Sequence, residues 1–278
     1  MKRSIGILPL LGALFLLSAA CGSAGTLAQF RTTVGDIDVE LFDQDKPVTV
    51  QNFIRYVNSP AYTNFQLIHR WGPGFVIQGG GYFVLNRYAT NQGISFLPTF
   101  GAITNEYSVG PAYSNVYGTI AMARSGGQVN SATSQWFINL ADNSFLDSVD
   151  GGFTVFGRVV QGTNTLQKFR PPYTNSLNQA NIGGPLTELP YIGTNLIHDA
   201  LIYVDITLLK VAVTPAEGGS RSISWNSVSN RLNRVEYTTN LPPSWITLAT
   251  TNGTGGRFTL TDTNSANSRA FYRVRIDY

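Results

Sequence analysis

Apolar and polar residues alternate early in the chain. Ile37, Val39 and Leu41 are interleaved with Asp38 and Glu40, a period of two that marks a strand with one face in a core. With Val34-Gly35-Asp36 as the turn, residues 28–42 read as a hairpin. The period then changes. Val50, Phe53, Ile54 and Val57 recur at helical spacing, and Pro47 sits in a first turn, where its missing N–H costs little. Asn58-Ser59-Pro60 stops the run, so a helix is predicted over 47–57. Short apolar strands are predicted at 65–69, 74–78, 118–123, 135–140, 153–160 and 201–209, separated by Gly-, Asn- and Pro-rich segments. A second short helix, 163–169, is cut off by Pro171-Pro172. This pattern predicts a closed antiparallel barrel with long loops. Residues 171–199 show no hydrophobic period and read as a surface connection before the last barrel strand.

After Lys210 the texture changes. Residues 212–219, which include Pro215-Ala216-Glu217-Gly218-Gly219, read as a linker. Five strand-like runs follow at 221–225, 233–238, 245–249, 257–261 and 270–276, as a small β-sandwich would show. The expected organisation is a mainly β chain. A barrel domain of about eight strands with two flanking helices spans 27–211, and a small β-sandwich-like domain of open role spans 220–278. Trp225 and Trp245 suit its core as well as any binding platform.

The first residues carry a different signal. Lys2 and Arg3 precede an apolar stretch from Ile5 to Leu17, then Ser18-Ala19-Ala20 and the sole cysteine, Cys21. That is the layout of a secretory signal peptide over 1–21; the apolar run is too short to span a membrane. Two processing routes fit. Cys21 follows small residues as in a lipobox, although Ser18 stands where that motif usually has Leu, and lipidation there would leave an N-terminal lipid anchor. Ordinary cleavage, for instance after Ala24, is the other route. Either implies an exported protein, in the periplasm or anchored to the outer membrane of a Gram-negative-type bacterium. One cysteine makes no intrachain disulfide.

Composition narrows the chemistry. Of the 278 residues only 13% are charged, and the net charge is +3. Without Lys2 and Arg3 the chain is nearly neutral, so the sequence pI near 9.0 is no footprint for nucleic acid. There is no Gly-x-Ser-x-Gly elbow, no Walker-type loop and no Cys/His metal spacing. Asp142, Asp147 and Asp150 lack the ordered pattern of a calcium loop. No cofactor or metal is expected, and the membrane enters only through the possible anchor.

Four blocks carry more specific information. The first is His69-Arg70-Trp71-Gly72-Pro73-Gly74-Phe75-Val76-Ile77-Gln78-Gly79-Gly80, and the second is Gly118 to Arg124. The third is Asn130 to Asn139, with Ser134-Gln135-Trp136-Phe137-Ile138 at its centre. The fourth is Phe145-Leu146-Asp147 with Phe153-Thr154-Val155-Phe156-Gly157. In order and in spacing they resemble the signature segments of the cyclophilins, and the resemblance covers about residues 28–210. It implies a cyclophilin-like barrel, a peptidyl-prolyl cis/trans isomerase, and proline-containing polypeptides as partners of a monomer.

By that resemblance Arg70 is the catalytic donor to the substrate carbonyl, and Phe75, Phe137 and Leu146 form a slot for the proline ring. Val76 stands where many relatives have Met. Gln78 and Gln135 bond substrate backbone, and Ala123 and Arg124 offer main-chain groups, Arg124 replacing the Asn of many relatives. Phe145 and Phe153 line the same groove, in place of a Trp and a His of many eukaryotic relatives, which implies weak cyclosporin binding. His69 neighbours the site, but no proton moves when the bond rotates. His198 lies in the long loop with no ligand cluster around it. The alternative is a silent proline-peptide-binding or chaperone module using the same groove.

Overall fold

The structure, a computed structural model, describes residues 26–62, 65–86, 93–174, 176–209, 211–227, 232–240, 243–254, 256–263 and 269–277. Residues 1–21, expected as a signal peptide, and Cys21 with them, lie outside the described residues. The chain opens with the hairpin of β1 (Leu27–Thr32) and β2 (Gly35–Leu41), followed by α1 (Pro47–Val57). Then come β3 (Arg70–Gly72), β4 (Val76–Gly79) and a small hairpin of β5 (Tyr82–Leu85) and β6 (Gly93–Phe96). Next are β7 (Thr119–Met122), β8 (Trp136–Asn139), β9 (Val155–Gln161) and α2 (Thr163–Gln167). A second hairpin, β10 (Leu177–Ala180) and β11 (Leu189–Ile192), precedes β12 (Val204–Leu209).

Eight of these strands form one antiparallel sheet in the order β12-β1-β2-β9-β7-β8-β4-β3. The sheet curls until the segments ahead of its two edge strands meet. Ile68 N–H donates to Ile202 C=O and Val204 N–H to Gln66 C=O, each at 2.9 Å. Residues 65–69, expected as a strand, therefore close the barrel through bridges rather than a ladder; Phe65, at φ 52°, interrupts extended backbone there. Inside the curl pack Phe30, Ile37, Val39, Ile120, Trp136, Ile138 and Phe156. Helix α1 adds Phe53, whose ring lies 5.8 Å from Phe30 and 5.3 Å from Phe156. Next to α2, Leu166 and Phe169 are fully buried.

Two glycines are needed for close approach. A Cβ on Gly79 would stand 2.4 Å from the Trp136 ring, and Gly80, at φ +79°, would meet Ser134 C=O at 2.3 Å.

Two expectations need correction. Residues 171–199 are not a bare surface loop. They contain the β10–β11 hairpin, and Leu177, Leu186 and Leu189 are buried. The apolar residues there are too sparse to show a period, and their burial comes from other elements: Leu186 and Leu189 pack with Leu67, Tyr82, Val84, Leu201 and Tyr203, and Leu177 joins the main core. The segment read as a linker begins instead as strand β13 (Val211–Pro215). Its Val211 and Val213 pair with Trp225 and Ile223 of β14 (Arg221–Asn226).

The chain continues through β15 (Leu232–Thr238), β16 (Ile246–Asn252), β17 (Arg257–Asp262) and β18 (Phe271–Asp277). They make two three-stranded sheets, β13-β14-β17 and β16-β15-β18. Ile223, Trp225 and Val235 are buried in a shared core, and Trp225 stacks on Phe258 at 5.7 Å. Val274 of β18 also packs against Leu209 of the barrel.

Helix α1 has no side-chain cap of its own. Its first N–H groups are met from afar: Val48 and Thr49 donate to the buried Glu106 carboxylate at 3.1 and 2.7 Å. The Lys46 ammonium, also buried, donates to the backbone oxygens of Glu106, Tyr107 and Val109. This exchange ties α1 to the 106–109 segment. Replacing Glu106→Ala strips the helix start of its acceptors and leaves the Lys46 charge short of its counter-ion. We expect a loss of about 2–3 kcal/mol in urea unfolding.

Candidate active site

A cleft of about 300 Å³ opens on one face of the barrel, small for a ligand pocket. It is lined by Arg70, Phe75, Val76, Gln78, Ala123, Arg124, Phe137, Leu146 and Phe153. All nine were singled out from the sequence, and they come from five separated stretches of chain. Strand pairing brings them together: Arg70 lies opposite Gln78 on β3–β4, Gln78 opposite Phe137 on β4–β8, and Phe137 opposite Ala121 on β8–β7. Val76, Phe137 and Leu146 are buried, while Phe75, Phe153 and Arg70 are partly open to solvent. Phe153 meets Phe137 edge to face, with centroids 5.8 Å apart.

The Arg70 side chain is 39% exposed, and its guanidinium carbon is 5.6 Å from the Phe75 ring centre. Its Nε donates to Glu188 Oε2 at 2.5 Å. Arg70 thus lines the cleft and holds a surface ion pair at once.

Arg124 serves differently. Its side chain is 2% exposed. Nη2 donates to the carbonyls of Val149 and Asp150, both at 2.9 Å, and Gly152 at 3.3 Å, and the group lies 4.2 Å over the Phe153 ring. It ties the 149–152 loop and Phe153 to the cleft wall. The expectation that only its backbone matters is thus incomplete. Ala123 N–H is bonded to Gln135 C=O at 2.9 Å, so that donor is already engaged.

Gln78 Nε2 donates to Gln135 Oε1 at 2.7 Å. Gln135, Phe145 and His69 do not line the cleft itself. Gln135 stands behind Gln78. Phe145 is 57% exposed and stacks on Phe75 at 6.0 Å, at the rim. His69 is buried with its ring 4.8 Å from that of Tyr82. Buried against Tyr82, it adjoins Arg70 in sequence without lining the groove.

Sequence reasoning did not find what holds the walls apart. Asn115, Asn139 and Asn143 are buried and joined in series. Asn139 Nδ2 donates to Asn115 Oδ1 at 3.2 Å, and Asn143 Nδ2 to Asn139 Oδ1 at 2.8 Å. The ends of this chain reach the slot: Asn143 Nδ2 also donates to Phe75 C=O at 2.9 Å, and Asn115 Nδ2 to Phe153 C=O at 3.1 Å. Asp147 accepts from Asn115 N–H, Asn115 Nδ2 and Ser114 Oγ. Glu188 was also missed, because a lone acid in an irregular segment carries no signal. Asn139 ends the third motif block, and Asn115 and Asn143 had only their proximity to the blocks.

The class defined by this geometry is an antiparallel barrel with a shallow apolar slot edged by Arg70, Arg124 and Gln78, with Gln135 bonded to Gln78. The model of the cyclophilin type peptidyl-prolyl cis-trans isomerase/CLD family matches residues 27–182, stopping short of Glu188. A peptidyl-prolyl cis-trans isomerase of Acinetobacter baylyi is 39% identical over 168 residues, covering 59% of this chain and 83% of that protein. Peptidyl-prolyl cis-trans isomerase A of Dickeya dadantii is 39% identical over 175 residues, 62% and 82% of the two chains. Peptidyl-prolyl cis-trans isomerase B of Escherichia coli is 38% identical over 149 residues, 52% and 84%. The chain belongs to the cyclophilin family.

Burial holds His69 neutral. It lowers the imidazole from 6.5 to about 4, and polar contacts with Gln135 and the Leu67 backbone only partly oppose it. The unfolded chain takes up this proton near pH 6.5, whereas the folded one takes it up only near 4. Stability therefore falls as pH drops through that window, by about 3 kcal/mol at its lower end. Urea midpoints at pH 7.5 and 4.5 should diverge more in the wild type than in His69→Gln, and activity between pH 5 and 8 should show no inflection from His69.

Proposed function

We propose that the cleft catalyses cis/trans rotation about X-Pro bonds in exported polypeptides. The observation that carries the reading is the pairing of an apolar slot with a permanently charged donor, Arg70, on the wall of one cleft. The reaction needs no nucleophile and no proton transfer. The barrier of roughly 18–20 kcal/mol is the double-bond character of the amide C–N bond, and it makes uncatalysed X-Pro isomerisation a matter of tens to hundreds of seconds. In the twisted state conjugation is lost and the nitrogen lone pair is localised. Whatever binds that state more tightly than either planar one lowers the barrier.

Each wall has its part in such differential binding. Phe137, Leu146, Val76 and Phe153 take the proline ring by apolar contact, and Phe75 closes its open side. Gln78, backed by Gln135, grips the flanking backbone, so one side of the bond is held while the other turns. Arg70 donates from its guanidinium to the amide undergoing rotation. A guanidinium stays charged at any working pH and is aimed before the substrate arrives, so its effect is present when the lone pair localises. Export rests on the basic, apolar and small-residue layout of residues 1–21, with Cys21 as the candidate lipid-bearing residue. Envelope fractionation and the mass of the mature N-terminus test both.

The decisive assay couples a protease to a proline tetrapeptide and compares wild type with Arg70→Ala. We expect kcat/KM to fall about 100-fold or more with the unfolding midpoint nearly unchanged. Equal rates in the two proteins would leave a proline-peptide-binding module instead. Because the exposed Phe145 stands where a Trp favours cyclosporin, inhibition by that peptide should be weak and should strengthen in Phe145→Trp; nanomolar inhibition of the wild type would contradict this.

A further inference from the structure

We infer that Glu188 is a positioning residue for Arg70, and that the 171–199 segment serves the reaction by delivering it. The inference rests on the isomerase reading of the cleft given above. Glu188 comes from a segment remote in sequence from the slot-forming blocks, yet it is fixed to β3 by more than its carboxylate. Trp71 N–H, next to Arg70, donates to the Glu188 backbone oxygen at 2.8 Å. Gln179 Nε2, on β10, donates to Trp71 C=O. Leu186 and Leu189 are buried on either side of Glu188. The backbone of the acid is thus as well anchored as the strand it serves.

Its carboxylate takes Arg70 Nε at 2.5 Å. Nε is the nitrogen nearest the aliphatic stem, so this bond restrains the guanidinium plane without engaging the terminal nitrogens, and the side chain lines the cleft. The Phe75 ring limits the group on another side. The two charged side chains are 39% and 37% exposed. An ion pair so open to water contributes little to stability. Its consequence is restriction of a long, many-rotamer side chain to one orientation before the substrate binds. Preorganised donors accelerate a reaction because no reorientation is needed in the transition state. The carboxylate accepts a bond at a site the substrate does not use, so Glu188 acts through Arg70 and touches no reacting atom.

The test uses the full chain and the proline tetrapeptide, with kcat and KM resolved separately. Glu188→Ala is expected to lower kcat about tenfold and leave KM within about twofold, since positioning affects the transition state more than ground-state binding. Its unfolding midpoint should stay near the wild-type value. Glu188→Gln, which retains an acceptor for Nε, should recover a large part of the loss. In an Arg70→Ala background the further change Glu188→Ala should alter the rate less than about twofold, because the two residues act as a unit. A wild-type kcat in Glu188→Ala, or the same drop with and without Arg70, would overturn the positioning role. If Arg70→Ala is inactive while Glu188→Ala is normal, only this inference falls. If Arg70→Ala retains full activity, the isomerase reading falls with it.

Discussion

An apolar slot that must stay open to water is a hard thing for a small barrel to keep, because its walls gain by collapsing onto each other. Here a buried chain of amides prevents that. Asn143 holds the backbone of Phe75 and Asn115 holds that of Phe153, with Asn139 joining them and Asp147 anchoring one end. The spacing of the two aromatic walls is set by hydrogen bonds of fixed length. Buried amides of this kind have steep costs if any partner is lost, so the network has little freedom to shift. The slot inherits its shape from that rigidity, and Phe137 and Leu146 fill in its floor.

Charge is used sparingly and in two ways. Arg124 is sealed into the wall, where three backbone carbonyls and the Phe153 face take up its guanidinium. Arg70 is left partly open on the cleft wall, with its Nε engaged by Glu188. The same side-chain type serves as a structural tie in one place and as a poised donor in the other, and burial decides which. His69, beside Arg70 in sequence, is excluded from the chemistry by the same variable, since burial keeps it neutral.

The interval 171–199 changes the picture of the molecule most. It buries Leu186 and Leu189 in a second apolar cluster and Leu177 in the main core, and it bonds to both the N–H and the C=O of Trp71 on β3. A short edge strand carrying the principal cation is thereby covered and held. The two sheets beyond β12 bury their own core around Trp225, which accounts for that tryptophan without a binding role.

Much of this was readable from residue order alone. A period of two fixes strands wherever one face is buried, and a period of 3.6 fixes α1, because those repeats are geometric properties of the backbone itself. The motif blocks named the lining of the cleft because short signature segments keep their residue types together. What the linear order did not carry was every contact whose partners lie far apart with no repeat to betray them. The β10–β11 and β13–β14 pairings, local in sequence, were hidden by Pro- and Gly-rich composition; the asparagine chain and the Glu188–Arg70 bond are of the distant kind. Their energy exists only once the sheet has curled, since a lone acid or a lone asparagine has no preferred neighbour until the fold supplies one. Local periodicity thus determined the elements and the candidate residues, and tertiary contact alone decided which of them face the slot and what holds them there.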